Sequence, residues 1–334
     1  MYEHDVRRTS KESGGPKALR GPSGIRVENL TKQFGDVHAL RAVSLEVPAG
    51  QVLGLLGHNG AGKTTMLRIL TTLTRPTTGR AWVAGHDVIE EPDRVRASIG
   101  FTGQAPSVDD LLTARSNLEM IGRLCHLPAR EARARAGELL ERVSLADVAD
   151  RRVKTFSGGM RRRLDLAASL VAKPPVLFLD EPTTGLDPHA RNELWSMLRD
   201  YVRAGATLLL TTQYLEEADR LADAIVVLDQ GRVVARGTPS DLKDRYGGER
   251  SVVTVASEDA VARARGALAA FAESGVIEVE ATRLSVATRK GTRLVDLVRA
   301  LDAAGVDALD VHRRAPTLDD VFLSLTRNKP AEAA

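Results

Sequence analysis

From Ile25 onward, short apolar runs alternate with segments whose apolar residues recur every three to four positions. Segments of the second kind predict amphipathic helices, and one of them, through Met66 and Leu70, directly follows an apolar run and a glycine-rich turn. Alternation of strands with helices is typical of an α/β domain with a largely parallel sheet. The predicted strands of this domain occupy residues 51–56, 176–180, 207–211, 224–228 and 232–235.

Two stretches of the chain depart from this alternation of strands and helices. Residues from about 115 to 150 carry no strand signal, so we expect a helical insert at about 105–172. The last part of the chain follows the order β-α-β-β-α-β, which suggests a small α+β accessory domain of ferredoxin-like topology with a structural or regulatory role. The expected division is a flexible tail (1–24), an α/β domain (25–248), the accessory domain (249–328) and a short tail (329–334).

The composition agrees with a folded chain of two domains. The 334 residues are 43% hydrophobic and 27% charged, which provides a core and is too balanced for a disordered chain. A net charge of +3, from 47 basic and 44 acidic residues, gives no indication of a nucleic-acid-binding surface. The single cysteine, Cys125, excludes an internal disulfide and fits a reducing cytoplasm. We expect no membrane span, because every apolar run is far shorter than ~18 residues. We expect no signal peptide either, because the N-terminus has no apolar h-region.

A phosphate-binding loop follows the first of these predicted strands. Residues 57–64 read Gly-His-Asn-Gly-Ala-Gly-Lys-Thr, which fits the pattern G-x-x-x-x-G-K-[ST] between a strand and a helix. Glycines let backbone N–H groups face the phosphates, the helix N-terminus and Lys63 add positive charge, and the Thr64 hydroxyl can ligate Mg²⁺. His58 is expected to face outward. The predicted nucleotide-binding residues here are Gly57, Asn59, Gly60, Ala61, Gly62, Lys63, Thr64 and Thr65.

Two carboxylates, Asp180 and Glu181, stand at the end of the apolar run that begins at Val176. Open α/β sheets bind their ligands at the carboxyl ends of strands. Asp180 can therefore hold Mg²⁺, and Glu181 can act as general base on the attacking water. A lone Asp-Glu pair commonly only begins a loop, but the phosphate loop in the same domain favours the functional interpretation.

Ser157, Gly158 and Gly159 open a predicted helix 23 residues before Asp180. In isolation, this segment indicates only a turn and an N-cap. A helix N-terminus that begins with two glycines is also suited to a phosphate group brought by another subunit.

With the phosphate loop, the Ser-Gly-Gly segment and the carboxylate pair in this order, the chain resembles the ATP-binding subunits of ABC transporters over residues from about 25 to 245. The resemblance implies a P-loop NTPase fold, ATPase activity, and ATP and Mg²⁺ as cofactors. It also implies roles for three further residues. Gln104 matches the Q-loop glutamine that meets Mg²⁺ and the catalytic water, Asp187 matches the D-loop aspartate, and Phe34 matches the aromatic residue that stacks on adenine.

Within this family, residues 157–170, 211–219 and 316–323 are similar to the daunorubicin-resistance type of drug exporters. One departure from the family pattern is Met160 in place of the usual glutamine, together with Phe156 in place of leucine. The other is Gln213 at the position of the switch histidine. A glutamine can donate a hydrogen bond to a γ-phosphate and so serve catalysis, but it cannot become a cation near neutral pH.

The resemblance implies a subunit that pairs with a second copy around two ATP molecules, each held by residues 57–65 of one copy and 157–159 of the other. The pair would drive a separately encoded permease from the cytoplasmic face of the cell membrane, in efflux of a hydrophobic drug or antibiotic. Two alternatives stay open. One is a soluble ABC-type ATPase acting on nucleic acid or ribosomes, although such proteins usually carry two ATP domains or a long coiled-coil insert, and no nucleic-acid partner is expected here. The other, motivated by Gln213, is an ATP-dependent regulatory module with little turnover.

Overall fold

The computed structural model describes residues 23–103, 107–212, 214–247, 249–289 and 291–327. The tails predicted at 1–24 and 329–334 lie outside these ranges, except that Ser23 and Gly24 begin the first strand. The strands are β1 (Ser23–Phe34), β2 (Val37–Pro48), β3 (Val52–Leu56), β4 (Thr78–Val83), β5 (His86–Asp87), β6 (Ile99–Thr102), β7 (Val176–Asp180), β8 (Thr207–Thr211), β9 (Ala224–Asp229), β10 (Arg232–Gly237), β11 (Glu249–Val255), β12 (Ala272–Glu280), β13 (Arg283–Thr288) and β14 (Ala308–Arg314).

The α-helices of the described residues alternate with these strands. They are α1 (Lys63–Leu70), α2 (Pro92–Ala97), α3 (Ala114–Leu124), α4 (Ala129–Arg142), α5 (Gly158–Ser169), α6 (Pro188–Arg203), α7 (Leu215–Leu221), α8 (Pro239–Tyr246), α9 (Val261–Leu268), α10 (Leu294–Ala303) and α11 (Leu318–Arg327). In the part of the chain that the structure describes, none of these helices has both the length and the apolarity that a membrane crossing requires.

A six-stranded sheet carries the candidate site. Its order is β10-β9-β3-β8-β7-β6, and all neighbours are parallel except β10 and β9. Every residue of β3, β7 and β8 is buried, which is why these strands read as unbroken apolar runs in the sequence. Parallel strands bring their carboxyl ends to one edge, so the loop after β3 and the carboxylates after β7 lie on the same side. The α/β fold and its parallel sheet are confirmed.

Two apolar cores flank this sheet. Along β7, Phe178 faces one core and Leu177 and Leu179 face the other, because successive side chains of a strand point to opposite faces. The first core also contains α1 and a second, antiparallel sheet of order β2-β1-β4-β5. The sequence analysis did not predict this antiparallel sheet. The second core contains the helices of the insert, α3, α4 and α5, together with α6.

The accessory sheet has the order β12-β13-β11-β14, with all neighbouring strands antiparallel. Helices α9 and α10 cover it through a core that includes Leu268, Leu284 and Leu297. Its two β-α-β units are therefore interleaved, as in a ferredoxin-like arrangement.

The last helix, α11, packs on the large α/β domain. It contacts α7 and α8, and its residues Leu318 and Val321 belong to the same apolar core as Leu242. The apolar side chains of α11 thus pack in the core of the large domain. The sequence analysis placed this helix in the accessory domain, residues 249–328. Spacing of apolar residues predicts that a segment is helical, but it does not identify the surface that the helix covers.

An ion-pair cluster fixes α11 to the accessory sheet. The Asp320 carboxylate is 4% exposed and lies 2.7 Å from Arg250 Nε and 2.9 Å from an Nη atom of Arg314. The Thr317 N–H donates to the same carboxylate at 2.9 Å. One buried carboxylate therefore connects β11, β14 and the N-terminus of α11.

We expect Asp320→Ala to destabilise the protein by about 1.5–3 kcal/mol, because it removes the charged hydrogen bonds of a buried carboxylate with Arg314 and Thr317, while Arg250 keeps its contact with Glu278 at 2.7 Å. Asp319→Ala, at the exposed neighbouring position, is the matched control and should stay within about 0.5 kcal/mol of wild type. Urea unfolding of both variants at pH 7 measures the difference. Equal stabilities of the two variants would contradict this account of the cluster.

Candidate ATP-binding site

The phosphate loop joins β3 to α1 and adopts a backbone that two of its glycines make possible. Gly62 lies at φ +108°, and a Cβ atom there would be 2.5 Å from the Ala39 carbonyl oxygen. A Cβ atom on Gly57 would be 2.5 Å from the Leu228 carbonyl oxygen. A side chain at either position would therefore displace backbone, which explains the glycines of the motif.

The Lys63 side chain folds back onto the phosphate loop. Its Nζ donates to the carbonyl oxygen of Gly57 at 2.6 Å and to that of His58 at 3.1 Å, and the residue is only 6% exposed. Burial lowers the pKa of the Lys63 ammonium, while attraction to Glu181 and Asp180 acts in the opposite direction. The lysine is thus held within the electrostatic reach of both carboxylates, where it can meet a phosphate group.

The loop lines a cleft of about 440 Å³ that also contains Glu181. Among the loop residues predicted to bind nucleotide, Gly57 and Ala61 do not line this cleft. The predicted binding residues outside the loop do not line it either: Phe34, Ser157, Gly158 and Gly159. The structure therefore brings the two chemically separate motifs of the sequence together. The lining residues are Ala39, Asn59, Gly60, Gly62, Lys63, Thr64, Thr65 and Glu181.

The carboxylate pair is held by the end of the adjacent strand β8. Thr211 Oγ1 donates to Asp180 Oδ1 at 2.5 Å, and the Glu181 N–H donates to the Thr211 carbonyl oxygen at 3.0 Å. Asp180 is buried, whereas Glu181 is half-buried at the cleft. The two neighbours therefore occupy different environments: Asp180 is fixed in the protein, and Glu181 is accessible from the cleft.

The donor set at this place fits a magnesium ion. Thr64 offers a hydroxyl and Asp180 a carboxylate, which are the hard oxygen ligands that Mg²⁺ prefers. Within the described ranges, no group of three or more His, Cys, Asp or Glu side chains could hold a metal by itself. A site with two protein ligands suits Mg²⁺, since this ion usually keeps several waters and binds substrate phosphates.

The Ser-Gly-Gly segment forms the exposed N-terminus of α5. Ser157 is the N-cap, and its Oγ accepts a hydrogen bond from the Met160 N–H at 3.2 Å. Ser157 and Gly158 are exposed, and Gly159 is half-buried. A second cleft of about 510 Å³ reaches from Gly158 to Glu181.

Two further predicted residues have observed local roles. Asp187 caps α6 by accepting a hydrogen bond from the Ala190 N–H at 2.9 Å, and this bond lowers the pKa of its carboxyl. Phe34 ends β1 and is 51% exposed, with Lys32 Nζ 4.6 Å from its ring centre. The predicted residues Gln104 and Gln213 lie outside the described residues.

The structure adds a contact to His58 and reveals one polar group that the sequence analysis missed. His58 is exposed, as predicted, and its Nε2 also lies 2.7 Å from Asp229 Oδ1 at the end of β9. Glu217 on α7 is fully buried, and burial raises its pKa to about 7, against the opposing effects of Thr212 and Arg191. Glu217 lies beside Ala218 on the buried face of α7. In the sequence, this apolar neighbour is the one indication we find that Glu217 is buried.

We expect the stability of the wild-type protein to fall as pH rises from about 4.5 to 7, relative to Glu217→Gln. The folded protein binds the Glu217 proton more tightly than the unfolded chain does, so this contribution is complete at low pH and is lost above the folded pKa. The change between pH 5 and pH 8 should be about 2–3 kcal/mol in urea unfolding. Glu141→Gln, at an exposed position of α4, is the matched control, and its stability relative to wild type should change little over the same pH range. A pH-independent difference for Glu217→Gln would contradict the assignment.

Comparison with known proteins agrees with this geometry. The family model described as ABC transporter matches residues 40–184. The daunorubicin resistance ATP-binding protein DrrA2 of Streptomyces coeruleorubidus is 52% identical over 308 residues, which cover 91% of this chain and 95% of that protein. The doxorubicin resistance ATP-binding protein DrrA of Mycobacterium tuberculosis is 46% identical over 315 residues, covering 92% and 95%.

A solved structure is also similar: the dimeric, post-hydrolysis state of an ATP-binding cassette with bound ADP and Pi. Its TM-score is 0.60 at 28% identity, over 64% of this chain and 98% of that one. A phosphate loop and a glutamate that follows a strand ending in aspartate, brought together at one cleft, are the parts of a P-loop NTPase. The chain belongs to the ABC transporter family and is the ATP-hydrolysing subunit of a transporter.

Proposed function

We propose that two copies of this chain enclose two ATP molecules, and that hydrolysis drives efflux of a hydrophobic drug or antibiotic through a separately encoded permease. The observation that carries the proposal is that Lys63 and Glu181 line one cleft at the carboxyl edge of the sheet. This is the arrangement that phosphoryl transfer to water requires: a cation for the phosphates and a carboxylate for the attacking water.

The residues of this cleft divide the reaction between them. Lys63 and the loop N–H groups bind the β- and γ-phosphates. Thr64 and Asp180 would hold Mg²⁺, which when bound would neutralise charge on the phosphate oxygens. Glu181 takes the proton of the attacking water. Phe34, whose ring is half-exposed, stacks on the adenine.

Three further residues act around this centre in the proposal. Gln104 would meet Mg²⁺ and the water, Gln213 would donate a hydrogen bond to the γ-phosphate, and Asp187 would act from the start of α6 across the interface between the copies. A hydrogen-bond donor to the transferring phosphoryl group contributes about 10²-fold to 10³-fold in rate.

The exposure of the α5 N-terminus supports the homodimer. A Cβ atom on Gly158 would meet no atom within 4 Å outside its own helix and its chain neighbours, and Ser157 is exposed, so the segment is accessible to a phosphate from outside its own chain. A helix N-terminus binds anions through its unpaired N–H groups and its dipole. The dimeric relative with ADP and Pi supports the pairing of two such subunits.

The relatives support the proposed cargo. Both ATP-binding proteins described above are named for resistance to daunorubicin or doxorubicin, and they align with more than nine-tenths of this chain. As the ATP-hydrolysing subunit of a transporter, the chain acts in this proposal at the cytoplasmic face of the cell membrane, bound to its permease.

Coexpression in a drug-sensitive bacterium with the membrane protein that copurifies with this chain from its native membranes tests the proposal. Cells with the wild-type chain should accumulate less daunorubicin, measured by its fluorescence, than cells with Lys63→Ala. Both chains should be present at the same level in the membrane fraction. Equal accumulation in the two strains, with wild-type ATPase activity intact, would contradict drug efflux.

A further inference from the structure

Arg162 of α5 makes an unusual set of contacts with the segment that carries Glu181. Its side chain is 12% exposed, and its guanidinium donates only to backbone carbonyl oxygens among the hydrogen bonds of the described residues. All three nitrogens of the guanidinium donate. Nε donates to the Pro182 carbonyl oxygen at 3.0 Å, and Nη1 donates to that of Gly103 at 2.5 Å. Nη2 donates to the carbonyl oxygens of Asp180 and Glu181, at 2.7 Å each.

The backbone that Arg162 holds is strained. Glu181 lies at φ +52°, in the left-handed region that residues with a side chain seldom adopt. Such a conformation persists only when the surrounding structure fixes it. Here the Glu181 N–H donates to the Thr211 carbonyl oxygen, and the Glu181 carbonyl accepts from Arg162, so the peptide groups on both sides of the strained residue are held.

The same helix holds a second segment next to this site. Asp165, one turn after Arg162, is 1% exposed and accepts from the Ser107 N–H at 2.7 Å and from Ser107 Oγ at 2.5 Å. Its Oδ2 lies 3.8 Å from Arg162 Nη1. Gly103 and Ser107 are thus both attached to α5, the first by the arginine and the second by the aspartate.

We propose that Arg162 is a positioning residue for ATP hydrolysis, which fixes the strained backbone of Glu181 so that its carboxylate faces the phosphate cleft. Because Arg162 lies on α5, it also connects the orientation of Glu181 to the helix whose N-terminus carries Ser157. The proposal rests on the role of Glu181 as general base. Arg162 itself does not touch the reacting atoms, and its effect is transmitted through the backbone.

Arg162→Lys is the informative variant, measured in the full chain with Mg²⁺ and ATP. Lysine keeps the positive charge, but its single ammonium cannot reproduce a planar fork that reaches four carbonyls. We expect kcat to fall by about tenfold or more, with the Kd for ATP within about threefold of wild type, because misplacing a catalytic group lowers turnover more than binding.

Arg163→Lys is the matched control. Arg163 is the next residue on α5 and also donates to backbone carbonyls, those of Val143 at 3.0 Å and Ser144 at 3.4 Å, in the helical insert. Its kcat should stay within about twofold of wild type. Equal losses of kcat in the two variants would overturn the proposal, because any broken carbonyl contact of α5 would then have the same effect.

Single-turnover hydrolysis in the Glu181→Gln background separates this proposal from the role of Glu181. Arg162→Lys should add little to the loss that Glu181→Gln already causes, since both act on the same carboxylate. The same fold loss in both backgrounds would overturn the positioning role. High residual turnover in Glu181→Gln alone would instead refute Glu181 as the base.

Thermal melting with and without ATP tests whether Arg162 is merely a structural brace. The proposal would be overturned if Arg162→Lys lost ATP binding in parallel with kcat. It would also be overturned if the variant melted at a lower temperature but kept the wild-type kcat at temperatures where it is still folded. If Arg162→Lys does not fold, Arg162→Gln, which keeps an uncharged donor, takes its place. If neither variant folds, Arg162 serves only to stabilise the fold, and the positioning role is wrong.

Discussion

Glu181→Gln should lose ATP hydrolysis by about 10²-fold to 10⁴-fold while its affinity for ATP changes little. The amide keeps the shape of the side chain at the cleft but cannot take a proton from water. Steady-state release of phosphate and equilibrium binding of ATP, both with Mg²⁺, measure the two effects separately.

Two controls define this result. Glu193→Gln changes an exposed glutamate on α6 and should hydrolyse ATP at the wild-type rate. Asp180→Asn should weaken the dependence of ATP binding on Mg²⁺, which Glu181→Gln should leave intact. Hydrolysis by Glu181→Gln within a few fold of wild type would mean that another group activates the water.

Mixing two inactive chains should restore activity. Lys63→Ala damages the phosphate loop, and Ser157→Arg blocks the exposed N-terminus of α5 with a long side chain. In a mixed dimer, one ATP site contains both lesions, whereas the other combines the intact loop of one chain with the intact α5 of its partner. Equal amounts should therefore recover about one quarter of the wild-type rate, if pairing is random and the two sites act independently.

The control for mixing is each inactive chain combined with itself at the same total concentration, which should show no recovery. Mixed dimers should be demonstrated with differently tagged chains. Inactive mixed dimers would mean that each chain completes its own site, and the shared-site arrangement would be wrong.

The parts of the fold that the sequence predicts best are those in which local pattern and burial coincide. The strands 176–180 and 207–211 have the predicted bounds, because both are buried on both faces and end at polar residues. The phosphate loop was predictable for a similar reason. Its glycines are required by the backbone itself, as the Cβ contacts at Gly57 and Gly62 show.

Other features depend on contacts between residues distant in sequence. The antiparallel sheet of β1, β2, β4 and β5 and the packing of α11 are examples, because an amphipathic pattern does not specify the neighbouring element. The same holds for Arg162, which looks like one of several solvated arginines in the sequence. Glu217 was missed because a charged residue on a short helix suggests a surface position, whereas tertiary packing buries it.

The most direct measurement for the whole account is the mass and nucleotide content of Glu181→Gln in solution with and without Mg²⁺ and ATP. Analytical ultracentrifugation should show a single chain without nucleotide and a pair of chains with two bound ATP molecules once nucleotide is added. Ser157→Arg in the same background should bind ATP and remain a single chain. A single chain that binds one ATP in Glu181→Gln, at concentrations that saturate binding, would contradict the proposal that two copies enclose the nucleotide.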